Sequence, residues 1–138
     1  MKSFSLLLAA ILILGSCSTT NPDSKCGRCT DMACTEEFAM IMVSIKDANG
    51  NPVILNEYTV SFAEGKKNKT QYEDAYLSNQ GLYAIATDLD MDDILCAGTK
   101  ISFEFNVDGK SPHRYVYTIG KDCCHVHFIS GDSLEIIL

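Results

Sequence analysis

Cys123-Cys124-His125-Val126-His127 concentrates more chemistry in five residues than any other part of the chain. Side chains alternate faces along a strand, so an extended conformation would place Cys123, His125 and His127 on one face and Cys124, Val126 and Phe128 on the other. A thiolate and two imidazoles in a row suit zinc or copper, and Cys26 or Cys29 would complete such a site. The same residues also have a structural reading. Cys124 would then form a buried disulfide, Cys123 an outer one, and the histidines would be exposed polar residues. Metal binding requires a free thiolate and disulfides require oxidised sulfur, so the two readings separate on redox state; the structural one is the expectation.

Other constellations are weaker. Cys26-Gly27-Arg28-Cys29 is a CxxC, but it lacks the preceding strand and following helix that would lower a thiol pKa for redox work, so it reads as a pair of staples. Asp88, Asp90, Asp92 and Asp93 crowd one segment. Counted from Asp88, however, the sixth and twelfth positions of a calcium loop hold Asp93 and Thr99 where glycine and glutamate are needed. A solvated acidic turn is expected there. No Ser-His-Asp or Cys-His spacing matches a local catalytic signature, and there is no glycine-rich phosphate loop. Glu36 and Glu37 are adjacent acids that nothing marks for proton transfer, and Tyr115 and Tyr117 suit strand faces better than a sugar platform. The expectation is a non-catalytic chain with no cofactor. An enzyme would need a site assembled from residues far apart in sequence.

These groups belong to an exported chain. Met1 and Lys2 precede an apolar run from Phe4 to Leu14, the order of a secretory signal, and the run is shorter than the roughly 20 residues that span a bilayer. Leu14-Gly15-Ser16-Cys17 resembles the lipobox read by bacterial lipoprotein signal peptidase: apolar, small, small, cysteine. The resemblance implies cleavage after residue 16 and a lipid on Cys17, with multiple acyl chains giving a stable anchor. Residues 17–25 then form the lipidated cysteine and a polar tether, broken by Pro22. The chain has seven cysteines. With Cys17 assigned to lipid, Cys26, Cys29, Cys34, Cys96, Cys123 and Cys124 remain, an even set that reads as a disulfide framework in an exported domain. Their pairing is open, with segment 26–34 expected to be pinned through Cys96, Cys123 or Cys124.

Removing residues 1–16 from the 138 leaves 122, enough for one domain, and takes the formal net charge from −7 to −8 because Lys2 is lost. An acidic domain has no electrostatic footprint for nucleic acid and is repelled by anionic headgroups, so the lipid on Cys17 must make the membrane contact. No later apolar run approaches spanning length, and the domain is expected to be soluble. The reading places it in the bacterial cell envelope on the outer membrane, its facing side undetermined, with an envelope protein or glycan as the expected partner.

The elements that must position the cysteines and histidines are strands. Ile41, Val43 and Ile45 alternate against Met40, Met42 and Ser44, followed by turn chemistry at Asp47-Ala48-Asn49-Gly50-Asn51-Pro52. Tyr58, Val60 and Phe62 share a second strand face. A charged loop at residues 64–70 carries an Asn68-Lys69-Thr70 sequon of little meaning in a bacterial chain. Tyr72–Leu77 and Leu82–Thr87 read as a hairpin around Ser78-Asn79-Gln80-Gly81. Ile101, Phe103, Phe105 and Val107 alternate inward against Ser102, Glu104 and Asn106. Asp108-Gly109 then turns the chain toward Tyr115–Ile119, and Cys124–Ile129 and Leu134–Leu138 complete the set. The expected fold is all-β: a two-sheet antiparallel β-sandwich of about seven to eight strands, stapled by disulfides, over residues 26–138.

Within it, Ile41 to Thr87 resembles the carboxypeptidase-regulatory or transthyretin-like sandwich, an immunoglobulin-like architecture. The carriers are VSIKDANGNPV and the aromatic strand GLYAIATD after its glycine. The cysteine-rich start and late Asp-Cys-Cys-His also look like small lipoproteins of Bacteroidetes-type bacteria. The resemblance implies an accessory or binding module without catalysis of its own; fold alone does not set function.

Overall fold

The computed structural model describes residues 26–27, 29–30, 32–62, 74–107, 109 and 111–138. The expected signal, Cys17 and the tether lie outside the described residues, as do the sequon and Tyr72. Among the described residues seven strands form two sheets. One sheet places β1 (Met40–Lys46) between β3 (Leu82–Thr87) and β7 (Glu135–Ile137). The other runs β2 (Tyr58–Phe62), β4 (Thr99–Phe105), β5 (His113–Lys121), β6 (Val126–Gly131). The all-β, disulfide-stapled sandwich expected from the sequence is therefore observed, with one exception to antiparallel pairing. Strand β7, which the chain enters after leaving β6 in the other sheet, lies parallel to β1 with Ile45 opposite Ile136.

Alternation builds the core. Val60 and Phe62 of β2, and Ile101, Phe103 and Phe105 of β4, are buried on one side of their sheet, where Val60 sits opposite Phe103 and Phe62 opposite Ile101. Val43, Ile45, Ile85 and Ile136 face them from the other sheet in the same cluster. Two buried tyrosines bond to backbone of other segments. The Tyr83 hydroxyl accepts from the Leu55 amide at 2.7 Å and donates to the Val53 carbonyl at 2.9 Å. This pins the β1–β2 connection, and burial pushes the phenol up from its usual value. Tyr117 donates to the Ser133 carbonyl at 3.1 Å. Gly131 ends β6 at φ 139°, and a Cβ there would lie 2.5 Å from the Val116 carbonyl, so the sheet edge requires glycine at that position.

Two segments depart from the sequence reading. Residues 75–78 form a single helical turn, α1 (Ala75–Ser78), where a hairpin strand was expected. Asp74 takes an extended conformation as N-cap and accepts from the amides of Tyr76 and Leu77, the geometry that starts a helix. The acidic run is a 3-10 helix, Asp88–Asp93, entered through a capping box in which the Asp90 carboxylate accepts from the Thr87 amide at 2.9 Å and the Thr87 hydroxyl at 3.1 Å. Asp90 is buried and Asp88 half-buried, so the solvated turn is corrected to a partly internal cap. The Asn-Gly turn after β1 is present, with Asp47 accepting from the amides of Asn49 and Asn51 at 2.8 Å each.

Candidate functional site

Strand register gathers the chemistry at one end of the sandwich. Thr99 at the start of β4 lies opposite Ile119 near the end of β5, so Cys96 just before β4 and Cys123-Cys124 just after β5 emerge side by side. At the same end Met40, the first residue of β1, pairs with Thr87, the last residue of β3. The N-terminal segment must therefore pass over these cysteines before entering β1. Three disulfides fasten it in order: Cys26–Cys96, Cys29–Cys123 and Cys34–Cys124, with Cα–Cα distances of 5.2, 5.4 and 5.3 Å. All three fall within the ordinary disulfide range. Every bond joins this strap, residues 26–38, to the sandwich; none joins two sandwich elements.

The β5–β6 turn is built by Asp122, whose carboxylate accepts from the amides of Cys124 at 2.7 Å and His125 at 2.8 Å. Those bonds hold its carboxyl below the usual range. Because residues 122–125 turn and β6 begins only at Val126, Cys123, His125 and His127 do not form the continuous strand face expected of a metal site. Cys123 is in a disulfide, so it offers no thiolate. His127 is exposed, its ring lying over Gly120 on the outer sheet face. Among the described residues no three His, Cys, Asp or Glu side chains are grouped to hold a metal ion. With Cys123 oxidised, the expected zinc or copper grouping of Cys123, His125 and His127 is not assembled among the described residues.

His125 is differently placed. Its Nδ1 lies 2.8 Å from Asp88 Oδ2, and its Nε2 lies 3.0 Å from the Thr35 hydroxyl on the strap. Asp88 also accepts from the Ala39 amide at 2.8 Å and the Val126 amide at 2.9 Å. Burial would raise the Asp88 carboxyl, but the Ala39 amide, His125 and the Val126 amide together outweigh it and hold the group below its usual value. An ionised carboxylate only accepts, so Nδ1 carries the proton toward Asp88. In the neutral imidazole that leaves the Nε2 lone pair facing the Thr35 hydroxyl. Sequence reading missed both Asp88 and Thr35 as partners of His125. They lie 37 and 90 residues from it, and no local pattern joins them.

A separate cavity of about 370 Å³ opens between α1 and strands β2 and β3, walled by Leu55, Asn56, Tyr58, Asp74, Leu82 and Tyr83 among others. None of the cysteines or histidines singled out from the sequence lines it. Tyr115 and Tyr117 lie on the inward face of β5, opposite Phe103 and Ile101, and so form no exposed stacking surface. No helix among the described residues is long and apolar enough to cross a membrane. No protein-family model, curated protein or solved structure matches this chain.

Proposed function

We propose that the chain is a lipid-anchored protein of the bacterial cell envelope that carries a disulfide-stapled β-sandwich on a polar tether, as a binding or structural accessory module. The observation that carries this reading is the strap. Residues 26–34 follow directly on the lipobox cysteine and polar tether, and all three disulfides bind that segment to one end of the sandwich. A segment bonded at three points fixes the end of the sandwich from which the tether leaves. The lipobox residues Leu14-Gly15-Ser16-Cys17 supply the anchor, and the carboxypeptidase-regulatory or transthyretin-like resemblance fits an accessory role. An envelope protein or a glycan is the expected partner, and the outer membrane the expected site.

Expression of the full chain in a bacterium that makes lipoproteins tests this. The mature protein should fractionate with membranes and yield an acylated N-terminal peptide at Cys17, while Cys17→Ala should leave an uncleaved, unacylated precursor. An unacylated Cys17 in the mature wild-type chain would contradict the reading.

A further inference from the structure

We propose that Thr35, His125 and Asp88 form an acyl-transfer site in which the Thr35 hydroxyl is the nucleophile, His125 the general base and Asp88 the group that orients the imidazole. The substrate class is a carboxylic ester. This goes beyond the accessory role and rests on different atoms, so it stands or falls without touching the lipid anchor.

The geometry meets the requirements for activating the hydroxyl. A nucleophilic hydroxyl needs a base within hydrogen-bond reach, and the base needs a third group to fix its tautomer; the distances are 3.0 Å from Thr35 Oγ1 to His125 Nε2 and 2.8 Å from His125 Nδ1 to Asp88 Oδ2. The three residues come from separate elements, and covalent structure brings them together. Cys34 and Cys124 are bonded, and Thr35 and His125 are their immediate chain neighbours. Two backbone amides hold Asp88 from either side, and Asp122 holds the His125 backbone. The imidazole and carboxylate are sheltered, with side-chain exposures of 25 and 14 %, while Thr35 lies exposed on the strap where an acyl group can reach it.

In the first step the Thr35 oxygen bonds to the ester carbonyl carbon and its proton passes to His125 Nε2. Collapse breaks the bond to the leaving alkoxide, which takes that proton and departs as the alcohol. In the second step water, giving its proton to Nε2, attacks the acyl-threonine. The Thr35 oxygen leaves and recovers the proton, releasing the carboxylic acid.

The test uses the purified, fully oxidised protein and an alkyl fluorophosphonate, in which an activated hydroxyl displaces fluoride to form an oxygen–phosphorus bond. Peptide mass spectrometry should place the label on Thr35. Thr35→Ser should keep the label, Thr35→Val should abolish it, and Asp88→Asn should slow labelling about 100-fold or more. Hydrolysis of p-nitrophenyl acetate should fall to the uncatalysed rate in Thr35→Val. Disulfide mapping of each variant checks that the strap is still in place. An unlabelled Thr35 in wild-type protein with all three disulfides intact would overturn the proposal, as would labelling that Asp88→Asn leaves undiminished while the strap stays bonded.

Discussion

The strap and the sandwich are held by different forces. Inside the sandwich Phe103, Ile101, Ile45 and Ile85 are wholly buried, and stability comes from apolar area removed from water. On the strap Met32 and Phe38 remain 60 and 46 % exposed, so little apolar burial is available, and three disulfides with a few charge-assisted hydrogen bonds do the holding. The contrast explains the placement of the cysteines. Cross-links that close long loops constrain the unfolded chain most, and these span 70, 94 and 90 residues. They attach a segment that apolar packing alone would hold weakly.

The contrast can be broken by attacking each side. The largest effect is expected in the sandwich: Phe103→Ala should cost about 3–5 kcal/mol in denaturant unfolding, because the cavity opens where both sheets meet. Removing one cross-link with the pair Cys29→Ser and Cys123→Ser should cost about 2–4 kcal/mol. Its local consequence should be confined to the strap, with limited proteolysis between Cys26 and Phe38 accelerating while the β-sheet circular dichroism stays unchanged. Collapse of the sheet signal in that variant would show that the two regions are not separable.

Smaller effects sharpen the same boundary. Asp88 joins β3, β6 and the strap, so Asp88→Asn should lower stability at neutral pH by about 1–3 kcal/mol. Its carboxyl is held below the usual value. Its contribution is therefore fully present above the unfolded pKa of about 4 and disappears as pH falls through the lower folded value. The difference between wild type and variant in thermal midpoint should accordingly shrink as pH falls from about 4 toward 3. The smallest effect is expected at Lys46 and Glu135, 2.6 Å apart but with side chains 39 and 57 % exposed. Glu135→Gln should change stability by less than about 0.5 kcal/mol and lose even that in high salt.

Much of the sandwich was legible because its signals are local. Ile101, Phe103 and Phe105 alternate without interruption, and an even cysteine count after Cys17 pointed to a closed framework. Pinning of residues 26–34 through Cys96, Cys123 or Cys124 was an expectation with the pairing open, and the structure uses all three. The misses have physical causes of three kinds. Tyr72–Leu77 has strand composition, but Asp74 caps a helical turn that begins at Ala75. Cys123 to His127 alternates like a strand, yet Asp122 accepts two amides and bends the chain before Val126. The relay from Thr35 through His125 to Asp88 depends on a disulfide and on strand register, and neither leaves a mark at any fixed spacing.

The central claim is the strap, and peptide mapping of the non-reduced, exported protein tests it most directly. The account predicts a Cys26–Cys96 peptide pair and a cluster in which the peptide holding Cys123 and Cys124 carries Cys29 and Cys34, assigned as Cys29–Cys123 and Cys34–Cys124 by partial reduction and differential alkylation, and no thiol that alkylates without reductant. A local Cys26–Cys29 bridge, or free thiols at Cys123 and Cys124, would contradict it.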